Sequence, residues 1–136
     1  MRCVTEKGKY FSVFNDHVCV SKDKIKKENL VASNNERHFP AIRLHYFGVD
    51  SRFRGKGYGE YILMSVFEHC YKLSLISGSS LITVQALNSS IGFYEKYGFI
   101  TWHSPSLVYR NMFFTTLNLA GIIGGNQEKK FLNNFV

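Results

Sequence analysis

The chemically most suggestive part of the sequence is a glycine-rich segment at residues 52–59. Gly55, Gly57 and Gly59 occupy alternate positions, and the cationic residues Arg54 and Lys56 stand beside them. Glycine has no Cβ, so an anion can approach the backbone closely, and the first turn of a helix offers it unpaired N–H groups. Such a segment in front of a helix predicts a binding site for a pyrophosphate group.

Two common phosphate-binding motifs do not fit this segment. The P-loop pattern has four residues between its two glycines. Its lysine is followed directly by a serine or threonine. Here six residues separate Gly48 from Gly55, and Gly57 stands where the hydroxyl belongs. The dinucleotide-binding fingerprint needs a glycine where Glu60 stands, together with a strand–helix–strand context that is missing. The pattern therefore indicates a different class of phosphate site.

The flanking sequence predicts the elements that position the glycines. Strands are predicted at residues 2–5, 10–20 and 41–49, and the second is either one strand or two that join at Asn15-Asp16. Between the second and third, residues 21–38 predict a polar loop with one helical turn. Apolar residues then recur every three or four positions and predict a helix behind the glycines (Ile62, Leu63, Val66, Phe67, Cys70, Leu73).

The remaining sequence predicts three more strands and a second helix. The strands fall at residues 81–84, 99–102 and 107–117, and the helix runs from Asn88 or Ser89 through Tyr97, with Gly98 as its C′ residue. This order does not alternate regularly between strand and helix. It predicts the α+β class, with a mixed, mostly antiparallel sheet and helices packed on it.

Length and composition predict one domain with its own core. The chain has 136 residues, of which 45% are hydrophobic and 15% aromatic, so neither a metal nor disulfides are needed for folding. Three cysteines (Cys3, Cys19 and Cys70) and no leader sequence predict reduced thiols in the cytoplasm. No apolar run approaches the roughly 20 residues that a membrane-spanning helix requires.

The net charge of +7 favours acidic partners, which include nucleic acid, an anionic cofactor and a phosphorylated substrate. Ordinary solubility explains it equally well, because the lysines at 22–27 are interspersed with Asp23 and followed by Glu28. Charge alone therefore leaves both interpretations open.

Two motifs together resemble the GNAT family of N-acetyltransferases. The residues Arg52-Phe53-Arg54-Gly55-Lys56-Gly57 match the family pattern [QR]-x-x-G-x-[GA]. About 35 residues later, Phe93-Tyr94-Glu95-Lys96-Tyr97-Gly98-Phe99 matches its F-Y-x-K-x-G-F signature. The resemblance covers residues 10–117 and is closest to the subgroup of toxin-like enzymes that acetylate aminoacyl-tRNA.

The resemblance implies a fold and a domain division. A single acetyltransferase domain is expected at residues 1–117, followed by a loosely ordered tail at 118–136. Family members begin with a strand and two helices that usually shape the acceptor site, and most of this segment is expected to be missing here. The resemblance therefore supports binding of acetyl-CoA more than any particular acceptor.

The resemblance also implies roles for individual residues. Acetyl-CoA is the expected acetyl donor, attacked directly by an amine in a ternary complex. The strand ending at Phe47, Gly48 and Val49 is expected to diverge from its neighbour and hold the pantetheine, with an amide near Phe47 facing the thioester oxygen. Tyr94 is expected to donate to the departing thiol. Asn88 contacts the cofactor or caps the second helix. The pyrophosphate is expected on Arg54, Gly55, Lys56, Gly57, Tyr58 and Gly59.

No general base stands out from the sequence, although His45 on the central strand is a candidate. The five histidines lack metal-ligand spacing, so no metal site is expected. The acceptor is expected to be an amine on a small molecule, a peptide or aminoacyl-tRNA, and a homodimer is expected to cover the open sheet face. Two alternatives remain: an acyl-CoA-binding module with an incomplete acceptor site, and a basic RNA-interacting module that uses Lys22–Lys27 and Arg52.

Overall fold

The computed structural model describes residues 2–6, 9–30, 37–49, 57–104 and 106–119. Six strands and three α-helices are assigned within these ranges. The first half contains β1 (Arg2–Glu6), β2 (Lys9–Cys19), α1 (Lys22–Lys27) and β3 (His38–Val49). The second half contains α2 (Tyr58–Ser77), β4 (Leu81–Leu87), α3 (Ile91–Lys96), β5 (Ile100–His103) and β6 (Tyr109–Thr115), with 3₁₀ turns at Asn88–Ser90 and Thr116–Asn118.

The six strands form one sheet in the order β1-β2-β3-β4-β6-β5. Only β3 and β4 run parallel, and every other neighbouring pair is antiparallel. A parallel pair needs a long crossover connection, and α2 supplies it between these two strands. The α+β class with a mixed, mostly antiparallel sheet is thus confirmed.

The central parallel pair comes apart halfway along its length. The pairing of β3 with β4 runs from Ala41 opposite Leu81 to Leu44 opposite Val84. Both strands continue past that point, to Val49 and to Leu87, while β3 stays paired with β2 and β4 with β6. The two strands therefore diverge and open a V in the middle of the sheet.

A β-bulge lies at the point where the V opens. Ser12 of β2 pairs with Tyr46 and the next residue, Val13, pairs with Leu44, so His45 is the extra residue of β3. A bulge bends its strand and increases the local twist, which turns the end of β3 away from a straight neighbour.

The main core lies between α2 and one face of the sheet. Buried side chains of α2 (Ile62, Leu63, Val66, Phe67, Cys70 and Tyr71) pack on apolar residues of the inner strands. Ile42 and Leu44 of β3, Ile82 of β4 and Met112 of β6 belong to this cluster. The helical stripe predicted from the sequence is confirmed, except that Leu73 is only partly buried and Tyr71 is buried in addition.

The opposite face of the sheet is covered only in part. At one end a second cluster contains Val18, Phe39, Leu81 and Phe113, with Ile25 of α1 packed against it. Towards the V, the same face carries polar residues and the side chain of Phe14, which is 41% exposed. The part of this face near the V is therefore less covered by apolar side chains than the part near α1.

Several boundaries differ from the sequence prediction for local reasons. The strand β2 runs unbroken through Asn15-Asp16, because both residues have partners in β3. The strand β3 starts at His38 and includes Pro40, which pairs with His17. Leu119 belongs to the main core, whereas residues 120–136 of the predicted tail lie outside the described residues. No helix in the described ranges is long and apolar enough to cross a membrane.

Candidate functional site

The N-terminus of α2 begins at a glycine with an unusual backbone conformation. Gly57 precedes the helix with a positive φ of 77°, a conformation that glycine adopts without strain, and a Cβ built there would meet nothing within 4 Å. The N–H of Tyr61 donates to the Gly57 carbonyl at 3.5 Å, and within the described residues no side chain caps this end. The positive end of the helix dipole lies at this terminus and favours a negatively charged ligand there.

The other residues predicted for the pyrophosphate separate into two groups. Arg54, Gly55 and Lys56 lie outside the described residues. Tyr58 and Gly59 begin α2, and a Cβ on Gly59 would meet the ring of Phe93 at 3.6 Å. A Cβ there would make ordinary van der Waals contact with Phe93, so α3 packs next to the first turn of α2 without requiring glycine at this position.

An aromatic cluster fills the space between the V and α3. The ring of Phe47, on the diverging end of β3, lies 6.0 Å from the ring of Phe93 and 6.3 Å from that of Tyr94, centroid to centroid. The backbones of Gly48 and Val49 pair with Tyr10 and Lys9 of β2. The structure thus brings Phe47 and Tyr94 together, while the opposite edge of β3 borders the V.

Tyr94 is the buried residue of α3. Its side chain is 5% exposed and makes edge-on contacts with Phe93 and Phe99, at 5.4 and 5.2 Å. Burial raises the pKa of the Tyr94 hydroxyl from 10.0 to about 12, because the charged phenolate would lose solvation. Tyr94 is therefore protonated at neutral pH, and its hydroxyl can donate a hydrogen bond there.

Asn88 holds a loop. Its side-chain Nδ2 donates to the carbonyl of Leu107, and its backbone N–H donates to the carbonyl of Val108 at 3.1 Å. These bonds join the end of β4 to the connection between β5 and β6. The helix α3 receives no side-chain cap within the described residues, so the predicted capping role is wrong, and the contact of Asn88 with the cofactor stays a prediction.

Two open cavities lie at opposite ends of β4. One of about 720 Å³ adjoins the diverging end of the strand and is lined by Asn88, Gly92 and Arg110 among others. The other, of about 780 Å³, lies near Gly78, Leu81 and Thr116, at the C-terminal end of α2. The first is lined by residues at and beyond the diverging end of β4, and the second lies at the opposite end of that strand, away from the V.

No sequence pattern assigned a role to Phe93, and the bulge that Gly48 suggests in this strand lies instead at His45. Phe93 stands inside a recognisable signature, but only its ring contacts with Phe47 and Tyr94 show how it packs. A bulge depends on the register between two strands, and His45 is exposed at this one with its ring 5.2 Å from that of Phe14. The sequence did mark His45 as unusual, because a histidine is uncommon in a strand of mostly apolar residues.

The arrangement suits a long ligand with an anionic part. Its charged end can lie on the first turn of α2, and a narrow polar chain can follow the open edges of β3 and β4 into the V. The reactive end would then lie near Phe47 and Tyr94. Residues 9–101 match the family of the acetyltransferase (GNAT) domain, whose members use acetyl-CoA as acetyl donor.

The chain belongs to the GNAT family. The match covers well over half of the 136 residues and contains both motifs identified above. No curated protein matches this GNAT chain by sequence.

Solved structures with the same fold include bacterial toxins. A structure described as a bacterial toxin shares 17% identity with this GNAT domain at a TM-score of 0.66, over 85% of this chain and 62% of the other. AtaT complexed with acetyl-methionyl-tRNAfMet shares 21% identity at a TM-score of 0.68, over 85% and 66%. AtaTR bound with AcCoA shares 20% identity at a TM-score of 0.64, again over 85% and 66%. The chain thus spans about two thirds or less of the length of these proteins.

Proposed function

We propose that this GNAT domain transfers an acetyl group from acetyl-CoA to an amine. The observation that carries the proposal is the V between β3 and β4 beside the uncapped N-terminus of α2. An ordinary parallel pair would stay hydrogen-bonded along its length, whereas these strands leave backbone edges open for a ligand. Family membership identifies that ligand as acetyl-CoA.

The described residues fit the cofactor. A Cβ at Gly57 would meet no described atom within 4 Å, and the positive end of the α2 dipole suits a pyrophosphate. Phe47, Gly48 and Val49 offer a strand edge to the pantetheine, and we assign Arg54, Gly55 and Lys56 to the pyrophosphate on the motif alone. When bound, acetyl-CoA supplies an activated acetyl group, and its transfer yields an N-acetylated product and the CoA thiol.

Tyr94 acts in this proposal as a hydrogen-bond donor to the departing sulfur. With a pKa of about 12, its hydroxyl is some 3.5 units less acidic than a typical thiol, so complete proton transfer would cost about 5 kcal/mol. Donation of a hydrogen bond avoids that cost and still stabilises negative charge on sulfur. The burial of Tyr94 therefore favours donation over protonation.

We propose aminoacyl-tRNA as the acceptor. One structure with the same fold contains acetyl-methionyl-tRNAfMet, and the net charge of +7 would attract a polyanion to this chain. The amino group of an aminoacyl ester is a primary amine next to a carbonyl, which is a suitable nucleophile when neutral. An amine on a small molecule or a peptide is the competing acceptor.

The test is acetyl transfer from radiolabelled acetyl-CoA to a panel of acceptors. The panel contains charged tRNAs, the same tRNAs without amino acid, free amino acids and basic peptides. The proposal predicts label on the amino acid of charged tRNA and none on uncharged tRNA. Label only on free amino acids or peptides would change the acceptor class. Acetyl-CoA binding with no labelled product would favour the non-catalytic acyl-CoA-binding alternative.

A further inference from the structure

A small polar cavity lies at the base of the V, on the sheet face opposite α2. It has a volume of about 70 Å³, enough for two water molecules or a small polar group. Polar or aromatic residues from five strands line it: Asp16 of β2, Arg43 of β3, Thr83 and Gln85 of β4, Trp102 of β5 and Asn111 of β6.

The position of the cavity is set by strand register. Arg43 lies opposite Thr83 in the last but one pair before the strands diverge, and Gln85 is the first residue of β4 beyond the pairing with β3. Side chains on a strand alternate between faces. Ile82 and Val84 point into the core under α2, so Thr83 and Gln85 point to the other face. The cavity is thus at the V, across the sheet from α2.

Thr83 is the most informative residue of the cavity. Its side chain is 3% exposed, and its Oγ1 has no hydrogen-bond partner among the protein atoms described. A buried hydroxyl without a partner costs about 1–3 kcal/mol, whereas valine would fill the same volume without that cost. Thr83 lines the cavity, so a water molecule or a polar ligand group in the cavity can pair with this hydroxyl.

The charges around the cavity balance. Arg43 Nη1 lies 3.8 Å from Oδ2 of Asp16, and the other carboxylate oxygen of Asp16 accepts the N–H of His17 at 2.8 Å. A lone carboxylate would hold a nearby amine in its protonated form, which has no lone pair for attack. Arg43 offsets that effect, so the cavity can accept N–H groups without favouring the ammonium.

We propose that this cavity binds the amino group of the acceptor, with Thr83 Oγ1 and the Asp16 carboxylate accepting its N–H groups. The inference rests on the proposed acetyl transfer, because it gives the amine a place across the sheet from the helix that holds the cofactor. The ligand class is a primary amine in its neutral form. Thr83 and Asp16 act by positioning that amine at the V.

Binding of glycinamide, a small primary amine beside a carbonyl, tests the proposal without requiring turnover. At pH 9 most of its amino groups are neutral, since the pKa of an α-amino group is about 8. Titration into the ¹⁵N-labelled protein is expected to shift backbone amide signals around Thr83, Gln85 and Asn111. Thr83→Val should weaken this binding about tenfold, which corresponds to the loss of one hydrogen bond.

Thr101→Val is the matched control. Its hydroxyl is also buried and without a partner among the described protein atoms, but Thr101 is not among the residues that line the cavity. This variant should bind glycinamide as the wild type does. Equal binding by Thr83→Val, or shifts centred away from the cavity, would overturn the inference and leave a cavity for water only.

A parallel titration with acetyl-CoA separates the two proposals. If acetyl-CoA binds but glycinamide does not reach the cavity, the amine site is wrong and the transfer proposal stands. If glycinamide binds at the cavity and acetyl-CoA does not bind at all, the proposed function is wrong.

Discussion

At the residue scale, Tyr94 packs in the core, and its ring lies 6.3 Å from that of Phe47 on the diverging end of β3. Its ring contacts Phe47, Phe93 and Phe99, which explains why an aromatic residue stands here. Packing alone would be served equally well by phenylalanine. The hydroxyl, which raises the cost of burial, is therefore the part that a functional role must explain.

Tyr94→Phe separates those roles. We expect stability near neutral pH to change by less than about 1 kcal/mol and acetyl-CoA affinity to hold within a few-fold, because the ring remains. The acetyl-transfer rate should fall roughly 10²-fold, as expected when one hydrogen-bond donor to developing negative charge is removed. Tyr97→Phe, at the C-cap of the same helix and half-buried, is the control and should stay active. A fully active Tyr94→Phe would exclude the hydroxyl from the mechanism.

Tyr94 also predicts a dependence of stability on alkaline pH. The pKa is about 12 in the folded protein and close to 10 in the unfolded chain, so between these values the folded state binds more protons. Stability due to this group is complete below pH 10 and falls as pH rises towards 12, by up to about 3 kcal/mol. Urea unfolding of wild type and Tyr94→Phe across this range measures it. Identical slopes for both proteins would show that Tyr94 does not titrate as stated.

At the element scale, the sequence predicted the helix behind the glycines and the strands around it, but not the V. The three- and four-residue spacing from Ile62 to Cys70 defines a helix locally. The end of the β3–β4 pairing depends on the register of three strands and on the bulge at His45. Neither the register nor the position of the bulge is encoded in a local sequence pattern. The divergence expected at Phe47 came from family resemblance, and the structure places its start at Leu44.

The two ends of α2 provide a matched test of the cofactor site. Gly57 and Gly78 flank the helix with φ of 77° and 72°, and a Cβ on either would meet no atom within 4 Å. Alanine at either position should therefore cost a similar 1–2 kcal/mol of stability through backbone strain. Only Gly57→Ala should weaken acetyl-CoA binding by calorimetry, by about tenfold or more, because only that end receives the pyrophosphate. Equal affinities of the two variants would argue against the site.

At the scale of the whole molecule, the fold class could be predicted from the sequence, but the cavities could not. Element order and apolar periodicity indicated a mixed sheet with helices, as found. The small polar cavity is lined by residues of five strands, β2 to β6, and therefore exists only in the assembled sheet. For this reason Thr83, a single threonine in the predicted strand, did not indicate a cavity. The expected homodimer stays a prediction, which sedimentation velocity checks.

The net charge of +7 leads to a prediction about tRNA binding. Lys22, Lys26 and Lys27 are exposed on α1, whereas Lys24 is 3.5 Å from Glu28. If the exposed three contact phosphates, log affinity should fall steeply with log salt concentration, and their replacement by glutamine should reduce the slope by about 2–3. Lys72→Gln, next to Glu68 on α2, is the control. A weak, salt-independent affinity would mean that the charge serves solubility.

The most direct test of the central claim is to map acetyl-CoA on the protein by backbone amide chemical shifts. The account predicts shifts at both arms of the V and at the first turn of α2, centred on Phe47, Gly57 and Tyr94. The cavity of about 780 Å³ at the other end of α2, near Gly78 and Thr116, should stay unaffected. Shifts centred on that cavity, or no shifts at saturating acetyl-CoA, would contradict the proposal that the V holds the acetyl donor.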